Sequence, residues 1–440
     1  MIPFLPSDRR ARIGAMVTSI TITLIGLATL TAGDPLLLEP TGITCLVCGK
    51  RGGVDVLLNV LLFIPLGVGL ALAGASVRRA ALGGLALSLI VESVQYAVLA
   101  GRAPSLSDLL TNTAGTAVGA LLTWRWRDWL LPDRAAAIRL AAAAWALWAG
   151  TLALGAWGLS RPPVPTDAHL MELPPRSGQY RTHEGRVLAT TLGGRATGAV
   201  TPSALSTLLA DSATASATVH AMLPPGMQRP IVFAFDGRWE AILVLAQRHR
   251  DLVFTVGTRA TAARLRNASY TLDDAFPSAA LVGPGEDPAR GPLVQLSATA
   301  TRTHVVLAAE SGGERRVRTV VLSPHLAWTF VAPFGVVYDR WGPFVTLLWV
   351  TVLVLPIAYW SRRTAPHGPT RVGAPRTAAL LAVILVTMGG ASWLAGLAPM
   401  PWWEWLGAAA GATLGWALGG RWSASPASCR ERSPRRVFAA

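Results

Sequence analysis

Lysine is almost missing from this chain: Lys50 is the only one, so arginine supplies nearly all of the 39 basic residues. Charge of either sign is scarce, at 14% of residues, and only 24 are acidic. So few charges argue against an ordinary soluble domain, where about a quarter of residues are charged. Three cysteines, Cys45, Cys48 and Cys429, are too few for a disulfide framework. All seven histidines fall outside the long apolar runs. That excludes an HExxH zinc helix and a histidine proton relay within those runs. No GxGxxG is present; the glycine-rich "LVGPGEDPARG" (281–291) precedes no helical pattern and reads as a loop.

What is abundant is apolar. Hydrophobic residues make up 52% of the chain and mean hydropathy is +0.43, the composition of a polytopic membrane protein. A helix needs about 20 apolar residues to cross a ~30 Å hydrocarbon core. Runs of that kind lie near 12–32, 53–74, 80–99, 108–124, 140–159, 341–360, 377–398 and 402–420. The first is too long for a cleaved signal peptide and no small-residue cleavage site follows it. The net charge of +15 would suit a nucleic-acid binder, but the arginines gather at the ends of the apolar runs, so no nucleic-acid partner is expected. With the N-terminus inside, eighteen arginines fall on inner segments, from Arg9, Arg10 and Arg12 to Arg435 and Arg436. Only Lys50, Arg51 and Arg102 fall on short outer loops. The positive-inside rule therefore predicts that both termini are cytoplasmic.

One long segment breaks the pattern. Residues 161–335 are polar and read as short strands separated by turn residues. "ILVLAQRHRDLVFTVG" (242–257) predicts strand, basic turn, strand, and "THVVLAAESGGERRVRTVVL" (303–322) predicts a hairpin around Ser311, Gly312 and Gly313. "SRPPVPTD" (160–167) is a stiff proline-rich exit from the helices. The expected organisation is a helical bundle over 1–160, an all-β extracytoplasmic domain over 161–335, a second bundle over 336–421 and a basic tail over 422–440. The fold class is thus a polytopic α-helical membrane protein of about eight spans with an inserted β domain.

Polar residues inside the apolar runs are the functional signal. The second run carries Asp55 and Asn59, the third Glu92 and Gln95, the fourth Asp108 and Asn112. Each pair is three or four residues apart, hence on one helical face. In the predicted orientation all three pairs lie within about 12 Å of the outer surface at ~1.5 Å per residue. A charge at the bilayer centre costs at least ~2.5–3.5 kcal/mol, so such groups face a bundle interior or a cavity. The plainer reading is interhelical glue, at about 0.6 kcal/mol per contact; Ser or Thr would serve that purpose without three acids. Gly115 and Gly119 form a GxxxG packing pattern.

These residues carry a resemblance. "CLVCGKRGGVDVLLNVLLFIPLG", then "VESVQ", then "GRAPSLSDLLTNTAGTAVGALL" is similar to the VanZ-like family of bacterial envelope membrane proteins. The family pattern falls on Asp55, Asn59, Phe63, Pro65 and Gly67, on Glu92 and Gln95, and on Arg102, Asp108, Asn112, Gly115 and Gly119. The β segment followed by "WTFVAPFGVVYDRWGPF" (328–344) resembles a sub-group that joins VanZ to a LamG-like, concanavalin-type jelly roll. The family's founding member is associated with glycopeptide-antibiotic resistance, but the resemblance assigns no biochemical activity. Arg102, in the loop just above, is left as a cation for the pocket, as a solvated loop arginine or as a partner for Asp108.

Two functions remain open. The first is a non-catalytic envelope protein that binds a lipid-like or glycan-bearing ligand, such as a lipid-linked envelope precursor, in the outer polar pocket. The second is an intramembrane enzyme that uses Asp55, Glu92 or Asp108 as acid and base. No nucleophile or metal set stands beside those acids, and no cofactor or metal is expected. Cys45 and Cys48 form a lone CxxC whose expected state is a local disulfide or redox-sensitive pair rather than a zinc site. A weak internal repeat aligns "DLLTNTAGTAVGALLTWRW" from Asp108 with "EWLGAAAGATLGWALGGRW" from Glu404, pairing Gly115 with Gly411 and Gly119 with Gly415. In that alignment Asn112 becomes Ala408, so the second bundle is expected to keep the packing and lose the polar set.

Overall fold

The apolar runs become helices, three of them started by side-chain caps, whose closest crossings fall at glycine. The computed structural model describes residues 7–30, 44–47, 49–99, 105–174, 180–210, 212–221, 228–277, 287–332, 338–364 and 373–421. The first set of helices is α1 (Ser7–Thr29), α2 (Gly52–Leu72), α3 (Val77–Val98), α4 (Leu106–Trp124), the short α5 (Trp126–Leu130) and α6 (Arg134–Leu159). Ser76, Ser105 and Asp133 precede α3, α4 and α6, and each side chain accepts a hydrogen bond from a backbone N–H of the first turn. Those N–H groups have no partner inside the helix, which is why Ser and Asp are favoured there.

A β region follows, with β1 (His169–Glu172), β2 (Arg186–Leu192), β3 (Arg195–Ala196), α7 (Pro202–Ala210), β4 (Ala213–His220), β5 (Arg229–Phe235), β6 (Ala241–Arg248), β7 (Asp251–Val256), β8 (Ser269–Leu272), β9 (Leu293–Ala300), β10 (His304–Ser311), β11 (Glu314–Val321) and α8 (Trp328–Val331). The strands form two antiparallel sheets, in the orders β1-β5-β6-β7-β8 and β11-β10-β9-β4-β2-β3. Both sheets contribute to one core, with Ala213, Ala215, Ala217 and Val219 from β4 meeting Leu243 and Leu245 from β6. The alternating burial along β4 is the period-2 pattern of a strand with one face inward. The two expected hairpins are present as β6–β7 and β10–β11. The second turns through Gly312 and Gly313, at φ +58° and +83°, the positive-φ pair a two-residue turn requires.

The chain then returns to helix: α9 (Gly342–Arg363), α10 (Gly373–Ala395) and α11 (Trp402–Arg421). Each of the eight expected apolar runs therefore coincides largely with a helix of at least 19 residues. Among the described residues, five helices are long and apolar enough to cross a membrane: α1, α2, α3, α6 and α9. α4 falls short on apolarity because Asp108, Asn112 and several hydroxyl residues interrupt it.

Helix crossings repeat across the two sets. A Cβ on Gly115 would collide with the Val60 carbonyl, and one on Gly119 with the Ile64 carbonyl, so α4 lies against the backbone of α2. In the second set a Cβ on Gly411 would approach the Thr351 carbonyl to 2.6 Å, and one on Gly415 would collide with that of Leu355, so α11 lies on α9 in the same way. Ile64 precedes Pro65 and Leu355 precedes Pro356, so the contact falls at the same point of each proline-containing helix. The offset of 296 in the sequence thus pairs helices that make the same contact. α1 packs on α2 as α6 packs on α9. The order α1–α2–α3–α4 is therefore matched by α6–α9–α10–α11, and the β region occupies the connection after the first helix of the second unit.

Candidate polar site between α2, α3 and α4

Four of the six polar residues, Asn59, Glu92, Asp108 and Asn112, make their contacts at or near the N-terminal turns of α4. Asn59 on α2 donates through Nδ2 to Asp108 Oδ1 at 2.6 Å. Glu92 on α3 accepts through Oε2 from the Ser105 backbone N–H at 3.0 Å. Both carboxylates stand where the helix dipole and the free N–H groups favour negative charge. One turn further along, Asn112 donates through Nδ2 to Ser88 Oγ at 2.9 Å. Asn112 is 5% exposed, and its Oδ1 is buried with no hydrogen-bond partner among the described residues. A buried carbonyl left without a donor costs roughly 1–3 kcal/mol.

Two of the candidate residues turn elsewhere. Gln95 lies on the same face of α3 but donates to the Thr29 carbonyl at 2.9 Å, a carbonyl left open by the end of α1. Asp55 stands at the exposed first turn of α2, where its charge acts on Arg266 of the β region. Burial is the main cause that lowers the Arg266 pKa, Arg51 lowers it further, and Asp55 opposes both. Arg102 and Cys48 lie outside the described residues, and with them the Arg102 contact and the Cys45–Cys48 pair. Phe63 and Gly67 are buried in the bundle, and Pro65 is accommodated within α2.

The β region roofs this end of α2. The first turn of α2 is close enough that a Cβ on Gly53 would strike the Ala263 carbonyl. Arg264 donates through Nη1 to the Val47 carbonyl, and Lys50 pairs with Glu240 at 3.5 Å. Ser107 at the start of α4 donates to the Leu46 carbonyl at 2.7 Å, tying the same segment to α4.

Residues 5–127 match the VanZ/LLP1 family model. The matched stretch spans α1 to α4 and stops before the β region, so the VanZ-like unit is the first helical unit alone. No curated protein and no solved structure matches the chain. A VanZ-like unit together with several apolar helices makes this a multi-pass membrane protein.

The second unit holds a polar site that the sequence reading missed. Glu404 occupies the place of Asp108 in the repeat and is fully buried. Its carboxylate accepts from Ser323 Oγ through Oε1, and from His325 Nδ1 through Oε2 at 2.8 Å. The Trp148 indole N–H points at His325 Nε2 at 3.2 Å, so Nε2 carries the lone pair and Nδ1 the proton. The expectation of a lost polar set is corrected here: the unit lacks an amide at Ala408 but keeps an acid, and the β region supplies its partners. Only the pairing of Asp108 with Glu404 pointed to this site; Ser323 and His325 lie about eighty residues away in sequence.

Proposed function

We propose that this protein is a bacterial envelope protein whose VanZ-like unit binds an amphipathic ligand at the polar end of α4, with the β region as a recognition roof. Its polar head, a lipid-linked precursor or glycan-bearing group, enters among Asn59, Glu92, Asp108 and Asn112, while its tail stays in lipid. Asn112 carries the reading: a buried carbonyl oxygen without a donor, beside two carboxylates, suits a hydroxyl- or amide-bearing head group. Arginine placement supports a site on the outer side, eight crossings and cytoplasmic termini. Two antiparallel sheets around one core support a concanavalin-type, LamG-like module, and a link to glycopeptide resistance follows by family resemblance only.

The site is read as non-catalytic because the Asp108 and Glu92 side chains are already engaged as acceptors, by Asn59 Nδ2 and by the Ser105 N–H. The test is native mass spectrometry of the full chain purified with its own lipid. Asn112→Leu removes the amide while filling the same space. Loss of a bound species with an unchanged melting temperature supports the site. An unchanged set of bound species refutes it. Chemical conversion of that species by wild type but not by Asp108→Asn would establish the enzyme reading instead.

A further inference from the structure

The two helical units differ in where their third helix goes. In the first, α3 packs on α4 and also touches α2. In the second, α10 leans on α6, and a cleft of about 320 Å³ opens between α6, α9, α10 and α11. That volume falls within the ~300–1,000 Å³ range of small-molecule sites. Its walls are apolar and aromatic, with Trp145 on α6, Ile357 on α9, Leu380 on α10 and Trp416 on α11. The hydroxyls of Ser361 and Thr364 mark the end of the cleft near the C-terminus of α9.

Two cations stand at that same end. Arg362, next to the cleft-lining Ser361, lies over the ring of the cleft-lining Trp416, 5.4 Å from its centroid. Arg363 has a buried Nη1 with no hydrogen-bond partner among the described residues. Among the described residues neither arginine is paired with a carboxylate. An apolar cleft between membrane helices, capped by unpaired guanidinium groups, has the chemistry of an acidic lipid: a chain to fill the cleft and a phosphate to neutralise the cations. Tryptophan and arginine at one helix end also mark the interfacial layer where head groups lie.

We propose that this cleft holds an acyl chain of one acidic phospholipid whose phosphate is bound by Arg362, with Arg363 adding to the field. The site is separate from the polar site of the VanZ-like unit and stands without it. In the first unit, by contrast, α3 packs directly on α4 and α2.

The experiment uses the full chain in detergent, stripped of lipid and then given phosphatidylglycerol or phosphatidylcholine, with adducts counted by native mass spectrometry. Wild type should retain one phosphatidylglycerol at least tenfold more readily than phosphatidylcholine. Ala379→Trp fills the cleft from an exposed position of α10 and should abolish that adduct with an unchanged melting temperature. If that variant does not fold, Val383→Trp, at another exposed position lining the cleft, takes its place. Arg362→Gln should keep an adduct but lose the preference for phosphatidylglycerol. Equal retention of both lipids by wild type, an undiminished adduct in the filled variant, or an unchanged preference in Arg362→Gln would each overturn the proposal.

Discussion

Alanine in place of Gly119 should destabilise the protein, whereas the same change at Gly150 should stabilise it. Both glycines are inside helices, so intrinsic propensity favours alanine by about 0.8–1.0 kcal/mol at either position. The surroundings decide the sign. Gly150 faces open space on α6, with nothing within 4 Å of a new Cβ. At Gly119 the Cβ would overlap the Ile64 carbonyl oxygen and sit 2.9 Å from its carbon. Overpacking costs about 1–3 kcal/mol, and here the obstacle is backbone, which no rotamer change can move aside, so the upper figure applies. Subtracting the propensity gain leaves Gly119→Ala about 2 kcal/mol less stable than wild type. Gly150→Ala should be about 1 kcal/mol more stable. Gly415→Ala, which meets the Leu355 carbonyl on α9, should behave as Gly119→Ala does. The assay is loss of helical circular dichroism on titrating the detergent-purified chain with dodecyl sulfate. If Gly119→Ala proves as stable as Gly150→Ala, α2 and α4 do not meet backbone to backbone, and the matched geometry of the two units fails with it.

The β region should also lose stability in mild acid. His183 is buried, with Nδ1 accepting from the Gly185 N–H at 3.1 Å and Nε2 against Gln247 Oε1 at 3.1 Å; burial lowers its pKa below the ordinary 6.5. The unfolded chain takes up a proton first as pH falls, so this contribution is complete above about 6.5 and is lost below it, down to the lowered folded value. A melting temperature that falls between pH 7 and 5 in wild type, and less steeply in His183→Gln, is the expected result; identical slopes would remove His183 from the account. For orientation, Ser203→Cys on the exposed face of α7 should react with a membrane-impermeant maleimide in intact cells, and Arg78→Cys should not, in a background with the three native cysteines replaced. The reverse pattern would turn the polar site to the other side of the membrane.

Much of this architecture is legible in the sequence because its signals are local. Twenty apolar residues in a row, a Ser or Asp before them, and a Gly-Gly between two β-rich runs each specify structure over a few residues. GxxxG spacing also identified α4 as a close-packing helix, and the mirrored spacing from Gly411 identified α11. What escaped notice depends on chain segments far apart. Gln95 carries the right spacing for a shared pocket, yet the open carbonyl of Thr29 at the end of α1 claims its amide. Glu404 looked like the solitary acid of a packing helix because its partners come from the end of the β region. The left-handed backbone at Trp239, His249 and Arg264 is likewise set by the turns that tertiary packing demands, and no glycine marks it in advance.

The insertion also fixes the order in which the protein can be finished. α6 emerges roughly 180 residues before α9, the helix it packs on, and synthesis at ~5–20 residues per second separates the two by about 10–40 s. During that interval α6 carries Trp148 without His325, its hydrogen-bond partner, and without most of the apolar cluster that later buries it. The first unit, by contrast, is contiguous and can assemble as its four helices appear. The second unit has to wait for the β region to be made before Ser323 and His325 can meet Glu404. The buried acid–imidazole contact is thus among the last to form, and it joins the two halves of an interrupted bundle to the domain that interrupts it.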